Sequence, residues 1–469
     1  MTVTGSAARR SRPGALRTRP AAIVEQHGHL LRGSFWLLAS VAANAFFGFA
    51  FWLIAARLDA TDDVGRAAAL FSSVMFVNYA TNMGLPIAVA RYAPDDGGPS
   101  TVLFNWSILY TGVSSLVGTL LFLAFLPESV SDTLLQWGWG VGALLFLVVV
   151  FGMSCAVLVE VRLMALRRWG WVFVRVALVG VIRFALVLVH PVGDDALWLF
   201  LVVAGIPALS GFVGYLVLLR RRRSPHPLRP LPASWRPGLR YSSVNYLGML
   251  AVQAPTFALP LIVAVEVPSA ENAAWYVAFS ITSVVFLVPH TLGQVLLVEG
   301  GKGGADLNRQ VRLALALALG FMALVALAAR VGSDLVTMVY GDDYADAAAI
   351  LPTLVLAGVG WAVTSICLTK ARVEENVAAI VIIAMALAVG ILTPALLLVG
   401  EEGIEGAARA WLIGNLIAAF TAVLVTMRHA RRGALAADAA WLEDAHDAHD
   451  AHDAHDGDEP APSGALSAG

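Results

Sequence analysis

The 469-residue chain is 58% hydrophobic and only 14% charged, with a mean hydropathy of +0.75. A soluble domain carries roughly 25% charged residues, so the composition excludes an ordinary soluble protein and points to a polytopic membrane protein. The formal net charge of −2 says little, because position matters more than the sum, and no nucleic-acid partner is expected. Apolar runs of about 20 residues read as membrane-spanning helices. Twelve are found, near 34–56, 67–90, 101–126, 139–163, 171–189, 196–219, 242–265, 273–298, 311–330, 347–369, 377–399 and 406–427. Nothing in the apolar part reads as a sheet.

Residues 1–32 form a basic N-terminal arm. Arg9 and Arg10 are a twin-arginine pair, but about 20 largely polar residues separate them from the first apolar run. A cleavable export signal needs that run close by, so the arm is read as cytosolic. The second span sits within the stretch Val64 to Pro94, VGRAAALFSSVMFVNYATNMGLPIAVARYAP. It holds Asn78, Asn82, Gly84 and Pro86, and Arg91 marks its end. Amides and helix interruptions persist at membrane depth where they face protein or a water-filled cavity. This span is therefore expected to line something.

Arginine and lysine placement sets the sidedness. With the N-terminus in the cytoplasm, 25 of the 31 basic residues fall in the arm, the tail and the inside loops. Only Arg57, Arg66, Arg330 and Arg409 fall outside, and Arg175 and Arg183 lie within the fifth span. Both termini are thus expected inside. The most basic inside loop, 220–240, contains RRRRSPHPLRPLPASWRPGLR and divides the chain into lobes 33–219 and 241–428, of six helices each. The stretches 64–77 and 271–288 show faint similarity in the same direction, with Ser73 over Ser283 and Phe76 over Phe286. Six helices per half makes this a parallel repeat, which places a substrate site between the halves. Residues 429–469 are expected to be a disordered cytosolic tail. Its repeat AHDAHDAHDAHD, at 445–456, has no apolar face to bury, and His446, His449, His452 and His455 offer at most weak metal binding.

GSFW at 33–36 opens the first span and LIAARLDATDDVG at 53–65 closes it; GLPIAVARYAP follows at 84–94. In the second half, VYGDDYADAAAILPTL at 339–354 presents Gly341, Tyr344, Ala345, Ala347 and Leu351 ahead of the tenth span. Together these resemble the polysaccharide-type flippases of the multidrug, oligosaccharidyl-lipid and polysaccharide exporter superfamily. The resemblance covers about Arg32 to Arg428. It implies a V-shaped pair of six-helix lobes with spans one, two, seven and eight around a central cavity. It further implies movement of lipid-linked sugars, commonly polyprenyl-pyrophosphate oligosaccharides, from the inner to the outer leaflet of the cell membrane. Glycan-assembly enzymes are the implied protein partners, beside the membrane lipids themselves. No cofactor, metal or catalytic residue is implied.

A flippase breaks no bond. It lowers the cost of taking a sugar and a phosphate headgroup through hydrocarbon, which needs a polar, partly cationic cavity. Candidate substrate-binding residues are Asn44 on the first span, Asn78 and Asn82 on the second, Asn245 and Gln253 on the seventh, and His290 and Gln294 on the eighth. Amides suit sugar hydroxyls because each offers donors and acceptors; bonding between packed helices is the plainer use of the same groups. Arg183 lies twelve residues after Trp171, about 18 Å into its helix and near the middle of a ~30 Å core. An arginine there costs on the order of 3 kcal/mol, so it must face a cavity or a partner. It is read as the group for a pyrophosphate or as a structural bond. Arg175, about 6 Å in, is placed to snorkel to the cytoplasmic face. Arg91 is a further candidate at the entrance. Pro86, Pro255, Pro260, Pro289, Pro352 and Pro394 interrupt apolar runs and are candidate kinks or hinges.

Two other classes stay open. A membrane glycosyltransferase or polymerase would use Asp62 and Asp63, although every outside loop is short. A drug or cation antiporter of the same superfamily would want a buried acid; Glu160, beside the cytoplasmic end of the fourth span, is the nearest.

Overall fold

In backbone, the computed structural model describes residues 19–93, 98–125, 131, 133–136, 138–189, 195–220, 236–300, 307–332 and 334–456. Side chains of 19–34, 91–92, 98–99, 195, 236–247, 297–300 and 432–456 are not among those described. The described residues form helices and no strand. In chain order these are α1 (Arg19–Leu58), α2 (Thr61–Thr81), α3 (Leu85–Tyr92), α4 (Gly98–Ala124), α5 (Trp139–Ala165) and α6 (Trp169–Val187). A short α7 (Asp195–Phe200) runs through a π-helical turn, Leu201–Gly205, into α8 (Ile206–Arg220). The second half comprises α9 (Arg236–Glu266), α10 (Ser269–Gly300), α11 (Leu307–Val331), α12 (Asp334–Tyr340), α13 (Ala345–Val373) and α14 (Val377–Asp456). The protein is an all-α polytopic membrane protein.

Ten helices among the described residues are long and apolar enough to cross a bilayer. Two physical details connect that number with the twelve runs. First, α14 contains a reversal at Gly403, whose φ of 59° and ψ of −138° are not helical. Gly390 lies against Gly414, and a side chain at Gly406 would meet the Leu398 carbonyl. The helix is therefore a hairpin holding both the eleventh and twelfth runs. Second, α2 is too polar to meet the same standard, carrying Asp62, Asp63, Arg66 and Asn78. With α3 it occupies the place of the second run. The two are separated by a turn over Asn82–Gly84, where Met83 and Gly84 take φ of 47° and 76°. Pro86, which has no N–H to continue a helix, falls in the first turn of α3.

The other prolines sit differently. Pro255, Pro260, Pro289, Pro352 and Pro394 lie inside continuous helices. The sharpest local departure precedes Pro207, which follows the π-helical turn. A proline there leaves the carbonyl four residues back without its usual donor, and a π-turn is one way to absorb the mismatch. At the chain's end, the expected disordered tail lies where the backbone of α14 remains helical to Asp456. Alanine at every third position supports helix even without an apolar face.

Residues expected on one face of the membrane do meet. Arg57 donates to the carbonyls of Met338 and Val339. Asn272 Nδ2 donates to Gly65 O at 2.8 Å, and Ile404 N donates to Glu271 Oε1 at 3.0 Å. At the other end, Arg162 donates to Ala93 O, and Asn376 Nδ2 lies 3.1 Å from His429 Nδ1. We call this second end the basic face, since Arg162–Arg168, Lys370, Arg372, Arg428 and Arg431 belong to it. The halves meet chiefly where α2 packs on α10 and α9. Thus α2 and α10, the helices that hold the two faintly similar stretches, form the seam. Ser73 and Ser283 each bond the carbonyl four residues back, both at 2.8 Å.

Candidate functional site

Three adjoining cavities lie between the halves and share Ser283. The first, about 450 Å³, is walled by α1, α5, α6, α8 and α10 and runs toward the basic face past Leu37, Ser40 and Glu160. The second, about 410 Å³, continues away from the basic face between α1, α2, α9 and α10. The third, about 230 Å³, branches into the second half beside Gln253, His290 and Asn415. Spans one, two, seven and eight thus do line the space, as the resemblance implies. Helices α5 and α6 line it too, which the resemblance does not.

Away from the basic face the space is shut. Trp52 packs on Tyr276 with ring centroids 4.5 Å apart, and Phe71 touches both. Beyond them, a Cβ on Gly65 would lie 1.7 Å from the Ser269 carbonyl oxygen. Only a residue without a side chain lets α2 and α10 approach that closely.

Arg183 sits where the first two cavities join. It is buried, and its guanidinium carbon lies 5.2 Å from the centre of the Phe51 ring. Its Nε has no hydrogen-bond partner among the described residues, and no carboxylate pairs with it there. A cation–π contact contributes about 0.5–2 kcal/mol, less than the cost of placing the charge at that depth. The arginine is therefore left with unused donors facing a cavity. Asn44 borders the same two cavities.

The other candidates separate by environment. Gln253 and His290 line the third cavity, and Gln294 lies beside His290, with Nε2 to Nε2 at 3.4 Å. Asn78 is buried and engaged: its Nδ2 donates to Ser154 Oγ at 2.6 Å and to Val150 O at 3.3 Å, which ties α2 to α5. Asn82 turns its Nδ2 onto Asn78 O at 2.8 Å, and its buried Oδ1 has no partner among the described residues. Asn78 thus works between packed helices, and Asn82 bonds back onto α2; neither lines one of the three cavities. The side chains of Arg91 and Asn245 lie outside the described residues.

Arg175 does not snorkel. Its Nη2 pairs with Glu160, and its Nη1 donates to Ser210 Oγ at 3.1 Å. Arginine and glutamate both border the first cavity. Asp62 and Asp63, the candidate catalytic pair, both bond Arg66 at 2.8 and 2.9 Å in the first turn of α2. Carboxylates there also suit the helix dipole. Sequence reasoning passed over Ser40, Thr256, Ser280 and Ser283 on the cavity walls, because single hydroxyls in apolar runs carry no distinguishing signal.

Two helical halves thus enclose a shared cavity that is shut at one end. Solved structures share the fold. The chain superposes on lipid II flippase MurJ in an inward closed conformation, with a TM-score of 0.66 at 13% identity over 84% of this chain and 87% of that one. An inward-facing multidrug resistance MATE family transporter of the MOP superfamily gives a TM-score of 0.58 at 14% identity over 83% and 97%. An outward-facing one gives 0.51 at 14% identity over 85% and 95%. At these identities the likeness establishes the fold. No protein-family model matches the sequence, and no curated protein does either.

Proposed function

We propose that the chain is a flippase that moves lipid-linked oligosaccharide or polysaccharide precursors from the inner to the outer leaflet of the cell membrane by alternating access. The observation that carries this reading is Arg183, a buried guanidinium with free donors at the junction of two cavities. Such a group suits a phosphate or pyrophosphate, which guanidinium binds bidentately. Asn44, Gln253 and His290 supply donors and acceptors for sugar hydroxyls along the same walls. Arg91, Asn245 and Gln294 extend that set toward the basic face, which we assign to the cytoplasm with both termini. The closed end away from the basic face agrees with an inward-facing state, as does the better fit to an inward-facing relative of the fold.

A second reading is favoured by one specific group. Glu160 places a carboxylate on the cavity wall, which an antiporter of drugs or cations would use.

The test is flipping of a fluorescent polyprenyl-pyrophosphate sugar in proteoliposomes. Arg183→Gln should lower the rate about tenfold or more, since a hydrogen bond to a charged group contributes roughly 1.5–3 kcal/mol. Its melting temperature should hold, because no bonded partner is orphaned. A fully active Arg183→Gln protein, with cation efflux abolished by Glu160→Gln, would decide for the antiporter.

A further inference from the structure

Helix α6 is held unevenly. It packs along α1 but touches α5 and α8 only sparsely. On the side away from α1, a cleft of about 430 Å³ opens between α5, α6 and α8, lined by Trp171, Val174, Leu178, Leu209, Val213 and other apolar residues. Those five are exposed on the protein surface or at its edge, and in a bilayer they meet hydrocarbon. Arg175 and Val179 line both this cleft and the first central cavity. One layer of side chains thus separates an apolar slot from a cationic chamber.

That layer is polar. Arg175 bonds Glu160 of α5 and Ser210 of α8, and Ser210 Oγ donates in turn to Pro207 O at 2.7 Å. An ion pair in such a place adds little stability over packed apolar residues. It does join the loosely held α6 to the closely packed α5–α8 pair through bonds that water or a competing anion can replace. Arg175 also stands about 12 Å along α6 from Arg183 and borders the same cavity.

We infer that the seam between α6 and the α5–α8 pair is a lateral portal. The hydrocarbon tail of a phosphate-bearing lipid lies in the apolar cleft while its headgroup occupies the cavity at Arg183. The Arg175–Glu160–Ser210 cluster is the latch that parts for the chain. Glu160 serves as the counterion of Arg175 until a phosphate takes its place. The occupant follows from an apolar slot and a cationic cavity that share a wall at Arg175 and Val179, which together fit an anionic amphiphile. This inference rests on the anionic-lipid reading of the cavity.

The experiment uses the full chain in phosphatidylcholine nanodiscs doped with a polyprenyl phosphate. A photoreactive benzoylphenylalanine replaces Leu209 in the cleft or Leu416, which is exposed on α14 and outside it. The Leu209 position should capture the polyprenyl phosphate about tenfold more than the Leu416 position, and Arg175→Ala should cut that capture by a similar factor. Arg175→Lys should retain most of it. If Arg175→Ala fails to fold, Ser210→Ala, which leaves Arg175 in place and removes one bond holding the latch shut, should raise the capture measurably. Equal capture at the two positions, capture unaffected by the latch variants, or equal capture of phosphatidylglycerol at Leu209 would each overturn the portal. Arg183→Gln separates the two readings. If it abolishes phosphate binding while Leu209 shows no preference, the cavity reading stands and the portal falls. If Leu209 capture persists in Arg183→Gln, the headgroup is not held in the cavity and both fall.

Discussion

The interface between the halves has two unlike ends. Away from the basic face, α2 and α10 touch backbone to side chain at Gly65 and Asn272, Arg57 is tied to carbonyls of α12, and Trp52, Phe71 and Tyr276 fill the remaining space. Toward the basic face α1 and α10 border a cavity that also takes in Asn44, Glu160, Arg175 and Arg183, while Tyr79 of α2 still donates to Met249 O of α9 at 3.0 Å. The closed end is made of small and aromatic residues and is joined across the halves by hydrogen bonds from Asn272 and Arg57. The open end keeps polar groups in reserve. Alternating access requires the first kind of contact to be strong enough to hold and weak enough to break, so single substitutions there should shift the balance of states.

The largest effect is expected from Gly65→Val. Its Cβ would lie within bonding distance of the Ser269 oxygen, and overpacking of this kind costs about 1–3 kcal/mol. A cysteine at Ser280, on the wall of the second cavity, should then react about tenfold faster with an impermeant maleimide added from the Asp62 side, since 1.4 kcal/mol is a factor of ten. Unchanged labelling would mean that this contact does not close the cavity. Next is Asn78→Ala, which removes the bond to Ser154 between α2 and α5. It should lower stability by about 1–3 kcal/mol by orphaning buried groups, seen as a fall in melting temperature, and leave cavity access alone. Arg57→Ala, losing two bonds to carbonyls from an exposed side chain, should raise Ser280 labelling by a smaller factor than Gly65→Val.

The span pattern was legible because a bilayer imposes one length on every crossing. The pairing of Glu160 with Arg175 was also within reach. They stand at equal distances on either side of the turn at Arg167 and Arg168, so an antiparallel helical hairpin brings them level. The sequence reading sent Arg175 to the surface because it weighed depth and not the opposing helix. Asn44 and Asn78 were indistinguishable in composition. What separates them is the rotation of each helix about its axis, which packing partners set and which neither helix declares through an amphipathic stripe. For α6, Arg183 already called for a cavity or a partner, and which of the two it meets follows from the helix's packing along α1.

Asn44 gives the smallest expected change in stability and the cleanest contrast with Asn78. It borders two cavities and makes no hydrogen bond that a leucine would forfeit among the described residues. Asn44→Leu should keep the melting temperature within the equivalent of about 0.5 kcal/mol, as for substitutions that remove no bonded or packed partner. Affinity for a sugar-bearing lipid should nonetheless fall by a factor of about three to ten, the loss of one neutral hydrogen bond of roughly 0.5–1.5 kcal/mol. Affinity for the same lipid phosphate without sugar should not change, because the phosphate is assigned to Arg183. Measured side by side, Asn78→Ala should show the reverse pattern, with stability lost and the affinity of the folded fraction intact. If both variants lost stability together, the amide on the cavity wall would be as fully bonded as the one between packed helices, and Asn44 would not be a free group awaiting a ligand.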